Sequence, residues 1–150
     1  MTALLRSTVF AAALAATLAC ASPVPTYAAD PIGNWLTEKS EATIRIANCG
    51  AELCGTIVAL KEPNDPATGR PKTDKNNPDA SKRSRPVIGV TIVFGMKPNG
   101  PDKWTGQVYN AEDGRTYSGN ITMQNARALK LEGCVLGGLI CKGQVWTRGS

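Results

Sequence analysis

The chain has 150 residues, 17 Lys and Arg against 12 Asp and Glu, a formal net charge of +5, and no histidine. That length fits one domain. The missing imidazole excludes Ser-His-Asp and Cys-His catalysis, His-ligated zinc and histidine proton shuttles. Fifteen glycines and ten prolines argue against a helical bundle but are too few for a disordered chain.

Residues 1–28 read as a targeting segment. Met1 to Arg6 carries one positive charge, and Ser7 to Ala19 is an unbroken small and apolar run. A membrane-crossing helix needs about 20 apolar residues, so this run is too short and fits the apolar region of a signal peptide. Thr26-Tyr27-Ala28 offers small residues at the first and third positions upstream of a cut, predicting a mature chain of Ala29 to Ser150 in the periplasm or outside the cell. The alternative uses Cys20. Thr17-Leu18-Ala19-Cys20 resembles a loose bacterial lipoprotein box, with Thr17 where leucine is usual, and an acylated Cys20 would tie the chain to a membrane.

Eight strands follow in chain order. Ile32 to Thr37 is short and apolar, and Ala42 to Ala47 alternates apolar with polar. Cys54 to Leu60 is β-branched, and Val87 to Gly95 is the most apolar run, predicted as a central strand. Lys103 to Asn110 alternates again, and Arg115 to Gln124 follows Asp113-Gly114, a hairpin signal. Ala128 to Gly133 and Ile140 to Arg148 complete the set. No segment has a helical period. Short connections and glycines expected within strands (Gly89, Gly106, Gly119, Gly143) predict an all-β fold, an antiparallel eight-stranded up-and-down barrel. A two-sheet β-sandwich is the alternative.

The segment from Lys61 to Pro86 breaks this rhythm. It holds 26 residues and five of the ten prolines, with seven basic and four acidic side chains. Loops of this length are uncommon in compact domains and are usually functional or disordered. The segment is expected to order as a basic lip over one barrel end. Arg83 and Arg85, one residue apart in an extended chain, would share a side and grip a carboxylate or phosphate, with Lys82 and Lys75 adding weaker attraction. The competing expectation is that these cations pair with the loop's own Asp74 and Asp79. The Asp74 to Asp79 stretch lacks the glycine and final glutamate of a calcium-binding EF-hand loop.

A cut after Ala28 leaves Cys49, Cys54, Cys134 and Cys141. Four cysteines allow three pairings. Each sequential pair flanks a short turn, so Cys49–Cys54 and Cys134–Cys141 are the expected disulfides. A four-thiolate zinc site would need tighter Cys-x-x-Cys spacing, and export favours oxidation. No cofactor or metal is called for. Glu38, Glu41, Asp102, Glu112 and Asp113 lie near turns, where two of them could meet as an acid and base pair. Nucleic acid is excluded as a partner by export and by the absence of aromatics among the loop charges.

Two resemblances add to this reading. Gly33-Asn34-Trp35, Ile44-Arg45-Ile46 and Cys49-Gly50-Ala51-Glu52-Leu53-Cys54-Gly55 resemble a bacterial exported family known only as domain-of-unknown-function family 2147. The resemblance continues through Asp74, Asn77-Pro78-Asp79, Arg83, Arg85-Pro86, Gly106, Val108-Tyr109, Asp113-Gly114-Arg115, Tyr117 and Trp146-Thr147-Arg148. This chain departs from it at Tyr109-Asn110-Ala111, where a Tyr-Asp-Pro-like turn is usual. The resemblance implies a small exported β-rich domain and no assigned reaction. The opening Gly-x-Trp with a terminal arginine also resembles the calycin barrels, which include the lipocalins. That implies Arg148 packed over Trp35 where the first and last strands close the barrel. The function expected is a non-enzymatic exported barrel that binds a small anionic or apolar ligand or an envelope protein. A structural or inhibitor-like interaction module is the second reading, and a carboxylate-dependent hydrolase the third. An empty interior would favour the first and a filled one the second.

Overall fold

The structure is a computed structural model that describes residues 29–150. The leader expected over residues 1–28, Cys20 included, lies outside the described residues. The strands are β1 (Gly33–Leu36), β2 (Ala42–Cys49), β3 (Glu52–Leu60), β4 (Thr91–Pro98), β5 (Lys103–Asn110), β6 (Arg115–Asn125), β7 (Ala128–Val135) and β8 (Ile140–Arg148). Three single-turn 3-10 segments, Glu38–Ser40, Ala80–Lys82 and Leu136–Gly138, sit in the connections. Each strand pairs antiparallel with the next, and β1 returns to β8, closing the barrel. The expected eight-stranded up-and-down barrel is therefore the fold, and the sandwich is not.

The period-two pattern explains what faces inward. In β2, Ile44 and Ile46 are fully buried on either side of exposed Arg45. Trp35, Leu53, Ile57, Val93, Met96, Ile121, Met123, Leu129, Leu131 and Trp146 join them in one cluster. This barrel is filled by side chains. Register shifts in β2, β3, β4 and β6 let the strands coil. Gly106 shows the packing limit: a Cβ there would sit 2.5 Å from the Gly95 carbonyl oxygen, so only glycine lets β4 and β5 approach this closely.

Alternating directions sort the connections between two ends. The 3-10 turn after β1, the long β3–β4 loop, the β5–β6 turn and the β7–β8 hairpin share one end. The chain termini and the β2–β3, β4–β5 and β6–β7 turns share the other.

One strand differs from expectation. β4 begins at Thr91, not Val87, and Gly89 lies outside it. Gly89 has φ +98°, a left-handed value that turns the chain. Val90 is buried, and Ile57 N–H donates to its carbonyl, so Val87 to Val90 reads as apolar because it packs on the barrel as a turn.

Candidate functional site

The long loop is ordered by its own backbone. Asn64 bridges Pro71, and Thr73 bridges Pro86. Lys72 and Val87 join through a 2.9 Å bond, and Asp74 N–H donates to the Arg85 carbonyl at 3.0 Å. The loop is thus a flattened hairpin of its own.

Its anchor is Asp74, whose side chain is fully buried. Tyr109 Oη, from the end of β5, donates to Asp74 Oδ1 at 2.6 Å. Asn77 Nδ2 donates to Asp74 Oδ2 at 2.7 Å and to Tyr109 Oη at 3.1 Å. Arg85 grips the same Oδ2 through Nε at 3.0 Å and Nη2 at 2.8 Å. Every buried polar side-chain atom among the described residues has a partner. Such saturation is what a buried carboxylate requires. Burial pushes the Asp74 carboxyl upward, but the bonds from Tyr109, Asn77 and Arg85, and then the guanidinium charge, outweigh it and hold the group below its ordinary value. Burial, then the bond to Asp74 and its charge, push the Tyr109 phenol up to about 12.

Tyr109 points away from the core. Val93 and Val108 pair across β4 and β5 and face the core, so their neighbours Phe94 and Tyr109 point outward. The loop therefore clasps the barrel's outer wall over β4 to β6. A second clasp lies at the β5–β6 turn, where Asn76 Nδ2 donates to the Glu112 carbonyl at 2.7 Å. Gly114, at φ +71°, leaves no room for a Cβ against the Asn76 carbonyl oxygen.

The expected arginine pair sits differently from the sequence reading. Arg85 is on Asp74, and Lys82 is 3.2 Å from Asp79. Arg83 Nε donates to the Asn77 carbonyl at 2.8 Å. Arg83 and Arg85 do not share the face of an extended chain, because Asp79 caps the Ala80–Lys82 turn through Ser81 N–H and leaves Arg83 in a helical conformation. Arg83 and Lys75 form no ion pair among the described residues. Beside the clasp opens a recess of about 280 Å³ between Asn77, Lys82, Arg85, Phe94, Tyr109 and Thr116.

The cysteines, the Trp35–Arg148 pair and the turn carboxylates also have defined places. Cys49–Cys54 and Cys134–Cys141 are disulfides, with Cα separations of 5.8 and 4.0 Å. Trp35 pairs directly with Arg148, whose guanidinium lies 4.3 Å from the indole centroid. Arg148 also donates to the carbonyls of Asp30, Ile32 and Ala126, tying the termini and the β6–β7 turn together. Asp102 lies at the barrel end opposite Glu38, Glu41, Glu112 and Asp113, so it pairs with none of them. It accepts the Ala29 N–H at 3.1 Å. Asp113 accepts from Tyr117 and Arg115 within its turn. Tyr109 and Asn77 entered the sequence reading only as carriers of the family resemblance. Their convergence on Asp74, 35 residues from Tyr109, is a tertiary event with no local signal.

These features define a closed, side-chain-filled β-barrel with a clasped external loop. A family described as an uncharacterised protein conserved in bacteria, DUF2147, matches residues 33–148, and the chain belongs to it. Among solved structures, the barrel is similar to protein HP1028 from Helicobacter pylori, described as belonging to the lipocalin family. The TM-score is 0.68 at 20% identity, over 81% of this chain and 84% of that one. No curated protein matches the sequence.

Proposed function

We propose that the protein is a non-enzymatic exported binding module whose contact surface is the outside of the clasped loop, and whose partner is an acidic envelope component. Two disulfides suit an oxidising compartment. The observation that carries the reading is the division of labour in the loop. Asp74 and Asp79 take up Arg85 and Lys82, which fixes the scaffold. Lys61, Arg70, Lys72, Lys75 and Arg83 then face outward without ion pairs among the described residues, against only Glu62 and Asp65. Fixed charges on an ordered scaffold lose less entropy on binding than mobile ones. The filled interior argues against a ligand held in the lumen and for the second expectation, an interaction module, with its contact on this wall. Two recesses on the described surface, one beside the loop and one beside Leu36, Arg127 and Arg148, are lined by none of the core cluster.

A titration of isotope-labelled mature protein with a poly-glutamate peptide tests this. Amide shifts should concentrate at residues 70–85. Replacing Arg70 and Lys75 together with alanine should weaken binding about fivefold, the value of two exposed charge contacts. Shifts centred on inward-facing residues such as Ile44 and Leu131, or none at millimolar peptide, would overturn the reading.

A further inference from the structure

The barrel closes through a short seam. β1 has four residues, and among the described residues only Trp35↔Arg148 and Leu36↔Thr147 pair it with β8. At Thr37 the chain leaves the sheet for the Glu38–Ser40 turn, which makes no backbone hydrogen bond to β8 among the described residues. Ile140 to Val145 therefore pair with β7 on one side and, among the described residues, have no strand on the other. All six are exposed, Ile140 at 60%, and the adjoining hairpin tip exposes Leu136 at 69% and Leu139 at 84%. The Glu38–Ser40 turn lies against β8 without bonding to it, and an apolar edge left unpaired in this way is a template for strand addition.

The ladder identifies which groups are free. In antiparallel pairs, close pairs are those that do not exchange hydrogen bonds. Cys134↔Cys141 is such a pair, at 4.0 Å between Cα atoms. Odd-numbered residues of β8 therefore aim their backbone groups away from β7. The far end agrees: Gly149 N–H donates to Asn34 of β1, whereas Arg148 N–H donates to Arg127 on the β7 side. The backbone groups of Cys141, Gly143 and Val145 accordingly face the open edge.

We propose that this edge is a homodimer interface, in which β8 of a second copy of this chain adds antiparallel to β8 about a two-fold axis through Gly143. This register places Gly143 against its symmetry mate, Cys141 against Val145, and Val145 against Cys141. Each pair exchanges both of its bonds, so all three residues are satisfied. It sets Lys142 opposite Gln144. Centring on Lys142 instead would oppose two lysines, which is unfavourable in a sheet. Centring on Gln144 would drive Cys141 into Thr147, where β1 already occupies the edge. The edge is thus self-complementary in the register centred on Gly143. Pairing ends where β1 takes over, and there it carries the exposed Leu139 and Ile140 toward Leu36 of the second copy.

Sedimentation of the disulfide-intact mature protein from about 5 to 500 µM tests the proposal. The wild type should dimerise within this range. Val145→Pro removes an edge-facing N–H and no β7 bond, and should shift the dimer constant at least about tenfold toward monomer. Gln144→Glu keeps the acceptor for the Trp146 indole, found at 3.1 Å, and adds a charge opposite Lys142. It should tighten the dimer in low salt only. If Val145→Pro fails to fold, the Gln144→Glu shift decides. A wild type that stays monomeric at the top of this range overturns the proposal, as does a dimer that responds to neither substitution.

Discussion

Removing one hydroxyl should loosen the clasp measurably. In Tyr109→Phe, Asp74 Oδ1 loses the donor now 2.6 Å away, while Oδ2 keeps Asn77 and Arg85. A hydrogen bond to a charged group contributes about 1.5–3 kcal/mol, and Asp74 has no solvent exposure to replace it. We expect a loss of about 2 kcal/mol at pH 7, or about 8 °C in melting temperature for a domain of this size. The pH dependence fixes the cause. Folding lowers the Asp74 carboxyl below its ordinary 3.8. Its contribution is therefore complete above the unfolded value and is lost as pH falls through the folded one. Tyr109→Phe removes part of that depression, so the variant has less to lose in acid. Urea unfolding should show a gap between the proteins that is widest at pH 7 and narrows toward about pH 3. An unchanged midpoint, or a gap that widens in acid, would refute the clasp.

Other substitutions probe separate contacts. Arg148→Ala removes the charge over Trp35 and the donor to three backbone carbonyls; unfolding free energy should fall by about 3 kcal/mol, with altered tryptophan emission. Gly114→Ala places a methyl against the Asn76 carbonyl at positive φ, and should speed hydrogen exchange at residues 74–77 while leaving β7 and β8 unchanged. Cleavage before Ala29 would turn its N–H, 3.1 Å from Asp102, into an ammonium ion. The exported protein should then have the mass of residues 29–150, and Asp102→Asn should cost up to about 1 kcal/mol. Tyr109, at about 12, should ionise later than a free phenol, and because folding raises its value, stability should fall between about pH 10 and 12.

The barrel was legible because alternation and turn residues are local. Ile44-Arg45-Ile46 and Asp113-Gly114 each specify their own geometry, and the strands they mark lie where expected. The Val87 to Val90 run misled because burial in a turn and burial in a strand select the same residues; Gly89 was the signal against a strand. The loop's basicity was legible but its wiring was not. Whether Arg83 and Arg85 share a face depends on the Asp79 cap between them and Asp74, and Arg85's partner is buried only because Tyr109 arrives from β5. The short seam between β1 and β8 was equally hidden, since the exit at Thr37 depends on left-handed Lys39 and Ser40, and neither is the glycine or asparagine that would announce that conformation.

Hydrogen exchange across residues 61–86 of the wild-type protein tests most directly whether the loop is the fixed surface on which the proposed function depends. The amides of Lys72, Asp74, Asn77 and Arg85 each donate within the loop, and Val87 ties it to the barrel. These amides should stay protected for minutes to hours at neutral pH, in step with neighbouring β5 amides. Complete exchange of the segment within seconds would make it a disordered tether and contradict the account.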